Sequence, residues 1–217
     1  MIAAWDPLEG AALLAHPIAA AIVATIHDRG YATATVEEFM VRAEMTRREF
    51  DHHFAGKDEA ALRVLEAHID AYVERAGRAY DAVATWPDNL RAAAYETTRY
   101  ILENPEMTWF GMVGVLEADD LARARRDQVF SWAAGLIDAG RGVAPDPTAI
   151  PRSAAMVAVG AIVEALRRTQ ESGLPVKPVE AVPVLMYAAV RPYLGEETAR
   201  AELVIAPPAD LARREER

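Results

Sequence analysis

Apolar residues recur every three or four positions along most of the chain, with charged or small residues between them. Ile18, Ile22 and Ile26 are one example. This spacing places apolar side chains on one face of an α-helix. No stretch shows sustained alternation of apolar and polar residues, the pattern of a half-buried β-strand. The sequence therefore predicts an all-α fold.

The stretch from Thr35 to Lys57 predicts two short helices joined by a tight turn. Thr35 and Thr46 can each cap a helix, because a glutamate follows each threonine three residues later and completes a capping box. The turn between the helices is Ala43 to Met45. Apolar residues at helical spacing are expected to bury one face of each helix: Val36, Phe39 and Met40 in the first, and Phe50 and Phe54 in the second. Two helices this short must pack on a third, which is the outline of a helix-turn-helix.

Start and stop residues divide the rest of the chain. Pro17 suits the first position of a helix that Gly30 ends. Asp58 begins a long helix that continues to about residue 84. Further helices are predicted at 89–103, 105–116, from Asp119 or Asp120 to about 139, at 153–171 and at 179–194. The arm 1–15 is expected to be frayed or partly helical, and the charged tail from residue 196 to be loose.

Composition restricts the class of protein. The chain has 217 residues and 52% hydrophobic content, enough to fill the core of one large domain or two small ones. It has no cysteine, so a disulfide framework and a thiolate metal site are excluded. No run of 18 apolar residues is present and the N-terminus lacks the basic start of a signal peptide, so we expect a cytoplasmic protein without a membrane partner.

The charge of the chain is unusual for a DNA-binding protein. The formal net charge is −10, from 23 basic and 33 acidic residues. The first 60 residues contain five basic and ten acidic residues, so the predicted helix-turn-helix lies in an acidic region. A nucleic-acid-binding domain usually carries a basic patch. Any DNA-binding surface here must be a small positive face on an acidic body.

A series of residues between positions 18 and 57 follows the order of a known motif. The residues are Ile18, Ala21, Ile26, Gly30, Tyr31, Thr35, Val36, Phe39, Ala43, Thr46, Phe50, His53, Phe54 and Lys57. In this order and spacing they resemble the N-terminal domain of TetR-family transcriptional regulators. Each match alone is weak, but so many in one register over about 40 residues form a specific signal. Beyond residue 60 only the general architecture is similar.

The resemblance implies a domain organisation and a function. It implies a three-helix helix-turn-helix domain at 1–57, joined to a larger helical ligand-binding and dimerisation domain at 58–217. It also implies a regulator, most simply a repressor, that a small and largely apolar ligand releases from operator DNA. We expect no enzymatic activity and no cofactor. The residues implied to contact DNA are Thr35, Thr46, Arg47, Arg48, His52 and Lys57.

Three departures from the family pattern support a second interpretation. Asp51 occupies the position where the family usually has a tyrosine against the phosphate backbone, and a carboxylate there repels phosphate. Glu44 replaces the glycine common in the turn; a positive φ at that position would cost glutamate about 1 kcal/mol or more. The arm before Ile18 lacks basic residues. The alternative is therefore a TetR-like sensor or interaction protein with weak or lost DNA binding.

The segment 86–132 is rich in methionine and aromatic residues, which suit an adaptable apolar pocket. A plain hydrophobic core is the alternative for each residue taken singly. The family architecture implies a ligand cavity in this region, for an apolar or aromatic ligand. The residues predicted to bind it are Tyr95, Tyr100, Met107, Trp109, Phe110, Met112, Phe130 and Trp132, and Thr97 and Glu117 are further candidate polar contacts.

The last two helices, at about 153–172 and 179–194, resemble the pair with which TetR-family proteins form a dimeric four-helix bundle. Small residues around Gly160 would let a partner helix approach closely; a buried helix pair within one monomer is the alternative. We predict a homodimer, because reading an operator requires two half-sites roughly 34–36 Å apart. The histidine spacing predicts no metal site, and the acidic cluster at 117–120 is interpreted as a helix start rather than a catalytic group.

Overall fold

A computed structural model describes residues 8–118, 120–172 and 178–211, and within these ranges the chain is helical without a β-strand. The prediction of an all-α fold is confirmed. In the same ranges, no helix is both long enough and apolar enough to cross a bilayer.

The helices follow one another with short connections. The α-helices are α1 (Gly10–Ala15), α2 (Pro17–Arg29), α3 (Val36–Arg42), α4 (Arg47–His53), α5 (Lys57–Asp81), α6 (Asp88–Glu103), α7 (Pro105–Met112), α8 (Asp120–Asp138), α9 (Ala154–Ser172) and α10 (Pro178–Glu202). Short 3₁₀ helices span Gly114–Glu117, Ala139–Gly142 and Pro147–Ala149. Two predicted features, a cap at Asp119 and a stop at Gly173–Pro175, lie outside the described residues.

The chain forms two compact units. The first unit comprises the chain up to Tyr72 together with Asn104–Arg126, and the second comprises Val73–Glu103 and the chain from Asp127 onward. Helices α5 and α8 each contribute residues to both units. The predicted domain boundary after residue 57 stays a prediction. Residues 104–126 belong to the same compact unit as the N-terminal helices and not to that of their sequence neighbours.

The core of the first unit is built where α2, α3, α4 and α5 meet. Ile22, Phe39, Phe50 and Phe54 are completely or almost completely buried there. Burial of each large apolar side chain contributes about 1.5–3 kcal/mol. Helix α7 packs against α2 and adds Phe110 to the same core. The apolar positions that the sequence pattern assigned to these helices therefore hold the helix-turn-helix in place.

The second unit is formed by α6, α9 and α10 together with the C-terminal parts of α5 and α8. Its core contains Tyr95 of α6, Ile137 of α8, Val159 of α9 and Val190 of α10. Helix α10 packs against both α6 and α9. The small residues of α9 are divided between this core and the surface: Ala155 is buried, whereas Gly160 and Ala161 are exposed.

Most local starts and stops agree with the sequence pattern. Pro17 is the first residue of α2, and Gly30 at its end has a φ of 78°. Thr35 and Thr46 cap α3 and α4, each in a complete capping box. These features depend on residues a few positions apart, which is why the sequence alone identified them.

The prediction of a loose tail from residue 196 is wrong over the described residues. Gly195, with a φ of 80°, interrupts α10, and the chain is helical again up to Glu202. Ala199 and Leu211 are fully buried. Arg91 of α6 binds the Glu202 carboxylate with both oxygens engaged, at 2.7 and 2.8 Å. The tail is thus anchored on α6, through residues more than a hundred positions earlier in the chain.

Candidate nucleic-acid interface and ligand region

Capping boxes fix both helices of the helix-turn-helix. The Thr35 amide donates to the Glu38 carboxylate at 3.0 Å, and the Thr46 amide donates to Glu49 at 2.7 Å. In return, the amides of both glutamates donate to the threonine hydroxyls at 3.3 Å. The amide and hydroxyl of Thr35 lower the pKa of Glu38, and the hydroxyl and amide of Thr46 lower the pKa of Glu49, so both carboxylates stay ionised at their helix starts. Thr35 and Thr46, predicted to contact DNA, therefore use their side chains for capping.

The turn between α3 and α4 places Glu44 in the left-handed region. Its φ is 52°, whereas glycine is the residue that adopts this conformation without strain. Glu44 therefore has the positive φ that disfavours residues other than glycine, and this costs roughly 1 kcal/mol of stability relative to glycine. The amide of Met45 donates to the Met40 carbonyl at 2.9 Å and closes the turn. The glutamate therefore weakens the turn without abolishing it.

Arg47, at the start of α4, is held by two carboxylates. Its Nε donates to both oxygens of Asp51, at 2.8 and 3.0 Å. Its Nη1 donates to Glu37 of α3 at 3.3 Å. The Asp51 carboxylate, followed by Glu37, raises the pKa of Arg47. Arg47 was predicted to contact DNA, and Glu37 was not predicted to compete for its guanidinium.

Other arginines of the helix-turn-helix are also paired. Arg42 binds Asp28 at 2.7 Å, and Arg29 lies 3.3 Å from Glu38. Arg48, in contrast, is exposed and forms no ion pair with any residue that the structure describes. Of the two arginines predicted to contact DNA, Arg48 is therefore the one that no described carboxylate holds.

His52 and Lys57 differ in their surroundings. His52 is exposed on α4, and its ring lies edge-on to that of His53 with the centroids 5.1 Å apart. Lys57 begins α5, and its Nζ donates to the Tyr31 carbonyl at 2.9 Å while lying 4.8 Å from the Tyr31 ring centroid. The lysine thus ties α5 to the loop after α2. A role for Lys57 at phosphate stays a prediction.

Four of the predicted ligand-binding residues lie in the first unit: Met107, Trp109, Phe110 and Met112. Met107 and Phe110 are buried in the core that includes α2, and the Trp109 ring packs edge-on to His27 with the centroids 4.9 Å apart. Glu117, a candidate polar contact, accepts a hydrogen bond from the Tyr31 amide at 3.2 Å. This segment therefore packs on the helix-turn-helix.

The other four predicted ligand-binding residues, Tyr95, Tyr100, Phe130 and Trp132, lie in the second unit. Tyr95 and Tyr100 are buried on α6, and burial raises the pKa of Tyr95. The guanidinium of Arg75 lies over the Tyr100 ring, 5.5 Å from its centroid. Thr97 donates to the Ala93 carbonyl of its own helix at 2.9 Å. The predicted set is thus divided between the two units, and ligand binding by either half stays a prediction.

The surfaces of α9 and α10 carry exposed apolar side chains. Val157 of α9 is 67% exposed and Val184 of α10 is 58% exposed. A side chain at Gly160 would meet open space, because no described atom lies within 4 Å of a Cβ placed there. The small-residue surface predicted for dimerisation is therefore accessible in the isolated chain.

The described ranges contain no group of three or more histidine, aspartate or glutamate side chains that could hold a metal ion. The acidic residues near position 120 have local roles instead. Glu117 binds the Tyr31 amide, and Asp120 pairs with Arg123 at the start of α8.

The chain is similar to solved structures of TetR-family regulators. The fatty acid degradation regulator FadR from Bacillus halodurans superposes with a TM-score of 0.68 at 13% sequence identity, covering 80% of this chain and 96% of that one. A tetR-family regulatory protein from Rhodococcus RHA1 gives a TM-score of 0.65 at 14% identity, covering 82% and 96%. PfmR, a TetR-family transcriptional regulator from Thermus thermophilus, gives 0.59 at 18% identity, covering 88% and 96%.

No protein-family model matches the sequence, and no curated protein matches it either. The similarity is therefore one of three-dimensional structure, and it shows that the chain has the fold of TetR-family regulators. The resemblance noted between residues 18 and 57 is confirmed at the level of fold.

Proposed function

We propose that this protein is a DNA-binding transcriptional regulator, a repressor that leaves its operator when it binds a small and largely apolar ligand. The observation that carries the proposal is the pair α3 and α4, fixed by two capping boxes and seated on a phenylalanine core, within a fold similar to that of TetR-family regulators. Arg48 and His52 are exposed on α4. An arginine there can bind guanine in the major groove or a phosphate of the DNA backbone.

The regulator acts as a homodimer in this proposal. The exposed Val157 and Val184, with the open surface at Gly160, support an interface through α9 and α10. A dimer presents two copies of α4, as an operator with two half-sites requires. Sedimentation of the wild-type chain and of Val157→Glu tests it: the wild type is expected at twice the chain mass and the variant at one chain mass.

The ligand must bind the conformation with low affinity for DNA better than the conformation with high affinity. A ligand with equal affinity for both conformations would not shift the equilibrium between them. Met107, Trp109 and Phe110 support a coupling role, because they belong to the unit that carries α3 and α4. The neighbour from Bacillus halodurans is described as a fatty acid degradation regulator. That description fits the apolar side chains predicted to bind ligand here, and an acyl chain or an aromatic compound is the class to test first.

A second candidate function is a small-molecule sensor or interaction protein with weak or lost DNA binding. Three observations favour it: Arg47 is bound by Asp51 and Glu37, the turn contains a strained Glu44, and the net charge is −10. The two candidate functions share the fold and the predicted ligand-binding residues. They differ in whether α4 binds DNA.

Titration of labelled duplexes separates the two candidates. Duplexes from the DNA flanking the gene are titrated at low and moderate salt with the wild type, with Arg48→Ala and with Arg78→Ala. Arg78 is an exposed arginine of α5 in the other unit, and so serves as the matched control. The regulator predicts binding that falls with salt and weakens in Arg48→Ala but not in Arg78→Ala. Equal binding by both variants would count against α4 as the DNA-binding element.

A further inference from the structure

Arg47, Glu37 and Asp51 form a cluster with more negative than positive charge. One guanidinium faces two carboxylates, at 2.8 Å to Asp51 and 3.3 Å to Glu37. The cluster joins the two helices of the helix-turn-helix, since Glu37 lies on α3 and the other two residues on α4. It therefore presents a net charge of −1 where a DNA-binding helix needs positive charge.

We propose that Asp51 and Glu37 limit the affinity of this protein for DNA by holding Arg47 away from phosphate. The inference rests on the proposed function and adds two residues that set the strength of binding. Nη2 has no hydrogen-bond partner among the described residues, but a two-point contact with a phosphate also needs Nε or Nη1, which Asp51 and Glu37 occupy. Arg47 must therefore give up a carboxylate contact to bind a phosphate in this way, and two carboxylates stay behind near the DNA backbone. DNA binding then rests mainly on Arg48 and the remaining positive groups.

The geometry argues against the opposite role, in which the pair orients Arg47 toward a base. An orienting carboxylate would leave both terminal nitrogens of the guanidinium available to guanine O6 and N7. Here Nε is bound by Asp51 and Nη1 is bound by Glu37. The two carboxylates thus occupy nitrogens that a bidentate contact with a base would need. Removal of Asp51 is therefore expected to strengthen binding, whereas the orienting role predicts that it weakens binding.

The pair is exposed enough to respond to substitution. Arg47 is 59% exposed and Asp51 is 50% exposed. Solvent-exposed pairs exchange their partners readily, so a neutral residue at position 51 removes the shorter of the two ion pairs that hold Arg47 without disturbing the core. Asp51→Asn keeps the size of the side chain and removes its charge. Glu44→Gln is the matched control, because Glu44 lies in the same motif and forms no ion pair with any described residue.

Genomic fragments are first selected with the wild type and, separately, with Asp51→Asn, and one selected fragment is labelled. The affinities of the wild type and of the variants for that duplex are then compared. At about 0.1 M salt we expect Asp51→Asn to bind roughly tenfold more tightly than the wild type, the factor that one additional phosphate contact supplies. The salt dependence of log affinity should steepen by about 0.9. Glu44→Gln should change affinity by clearly less.

A double-mutant cycle assigns the effect to Arg47. If Asp51 acts by holding the guanidinium, Asp51→Asn gains much less affinity when Arg47 is already alanine. An equal gain with and without Arg47 would show simple charge repulsion and overturn the proposal. Circular dichroism of each variant verifies that the helices are intact.

The outcomes for the inference and for the proposed function are distinguishable. If the wild type binds DNA and Asp51→Asn binds equally or more weakly, the inference is wrong while the regulator stands. If Asp51→Asn selects DNA that the wild type does not retain, the inference is supported in its strongest form. If no variant, including Asp51→Asn, retains any DNA at low salt, the proposed function is wrong and the inference falls with it.

Discussion

Arginine–carboxylate pairs occur in both units of the molecule, and they differ in their exposure to water. Arg47 and Asp51 of the helix-turn-helix are both at least half exposed. Arg91 and Glu202 of the second unit are 16% and 3% exposed. Breaking an exposed pair costs little, whereas breaking a buried pair leaves an uncompensated charge in the interior.

Arginine–carboxylate pairs therefore have two different roles in this chain. In the second unit the pair joins the C-terminal segment to α6, and we expect its loss to destabilise the fold. In the first unit the pair is replaceable, because a phosphate can take the place of either carboxylate. The buried ion pair therefore belongs to the second unit, whereas the exposed pair belongs to the helix-turn-helix, where we propose that DNA competes.

The largest effect is expected at the buried pair. Arg91→Met leaves the Glu202 carboxylate buried without its guanidinium, and should lower the free energy of unfolding by about 3–5 kcal/mol. Arg78→Met breaks an exposed pair with Glu74 in the same unit and should cost less than about 1 kcal/mol. Urea denaturation at one fixed protein concentration measures both. Equal decreases in the free energy of unfolding would show that burial does not determine how much each pair contributes to stability.

An intermediate effect is expected from a histidine of α5 in the first unit. Burial lowers the pKa of His68 to about 4 from its ordinary value of 6.5. The unfolded chain therefore takes up a proton first as pH falls, and stability decreases between pH 6.5 and pH 4.

This group should account for about 2 kcal/mol of the loss of stability between pH 7 and pH 4.5. In His68→Gln the free energy of unfolding, measured by urea denaturation at several pH values, should depend less on pH in that window. Identical pH profiles for wild type and His68→Gln would contradict the account.

The smallest effect is expected at the start of α4. Thr46→Ala removes the hydroxyl that accepts from the Glu49 amide and should cost about 1 kcal/mol, whereas Thr46→Ser keeps the cap and should cost little. Hydrogen exchange at the Glu49 amide should accelerate in the alanine variant alone. Unchanged exchange would mean that packing, and not the cap, holds this end of the helix.

The sequence predicted those features that depend on near neighbours in the chain. Both capping boxes join residues three positions apart, and Gly30 ends α2 through its own backbone conformation. The apolar stripes likewise identified Phe39, Phe50 and Phe54 as core residues, because helical periodicity alone assigns them to one face.

Features that depend on distant residues were missed. Nothing in the local pattern connects Arg91 with Glu202, which lie 111 residues apart, so the tail was interpreted as loose. The Arg47–Asp51 pair has the four-residue spacing of a helical ion pair and could have been predicted. The contact of Arg47 with Glu37 crosses the turn between two helices and has no such signature.

The candidate ligand-binding residues show a related difficulty. Composition marked the segment 86–132 as rich in methionine and aromatic residues. It could not show that α7 packs on α2 while α6 belongs to the other unit. Apolar character predicts burial of a side chain but does not specify its partners.

Selection of genomic fragments by the purified wild-type protein at low salt tests the central claim most directly, since it presupposes neither the operator nor the ligand. The account predicts enrichment of a small set of fragments that share two half-sites about one helical turn apart, or a multiple of it. It also predicts loss of that enrichment in Arg48→Ala and its persistence in Arg78→Ala. Recovery of no fragment above the level of protein-free resin would contradict DNA binding, and the helical second unit would then be the functional part of the molecule.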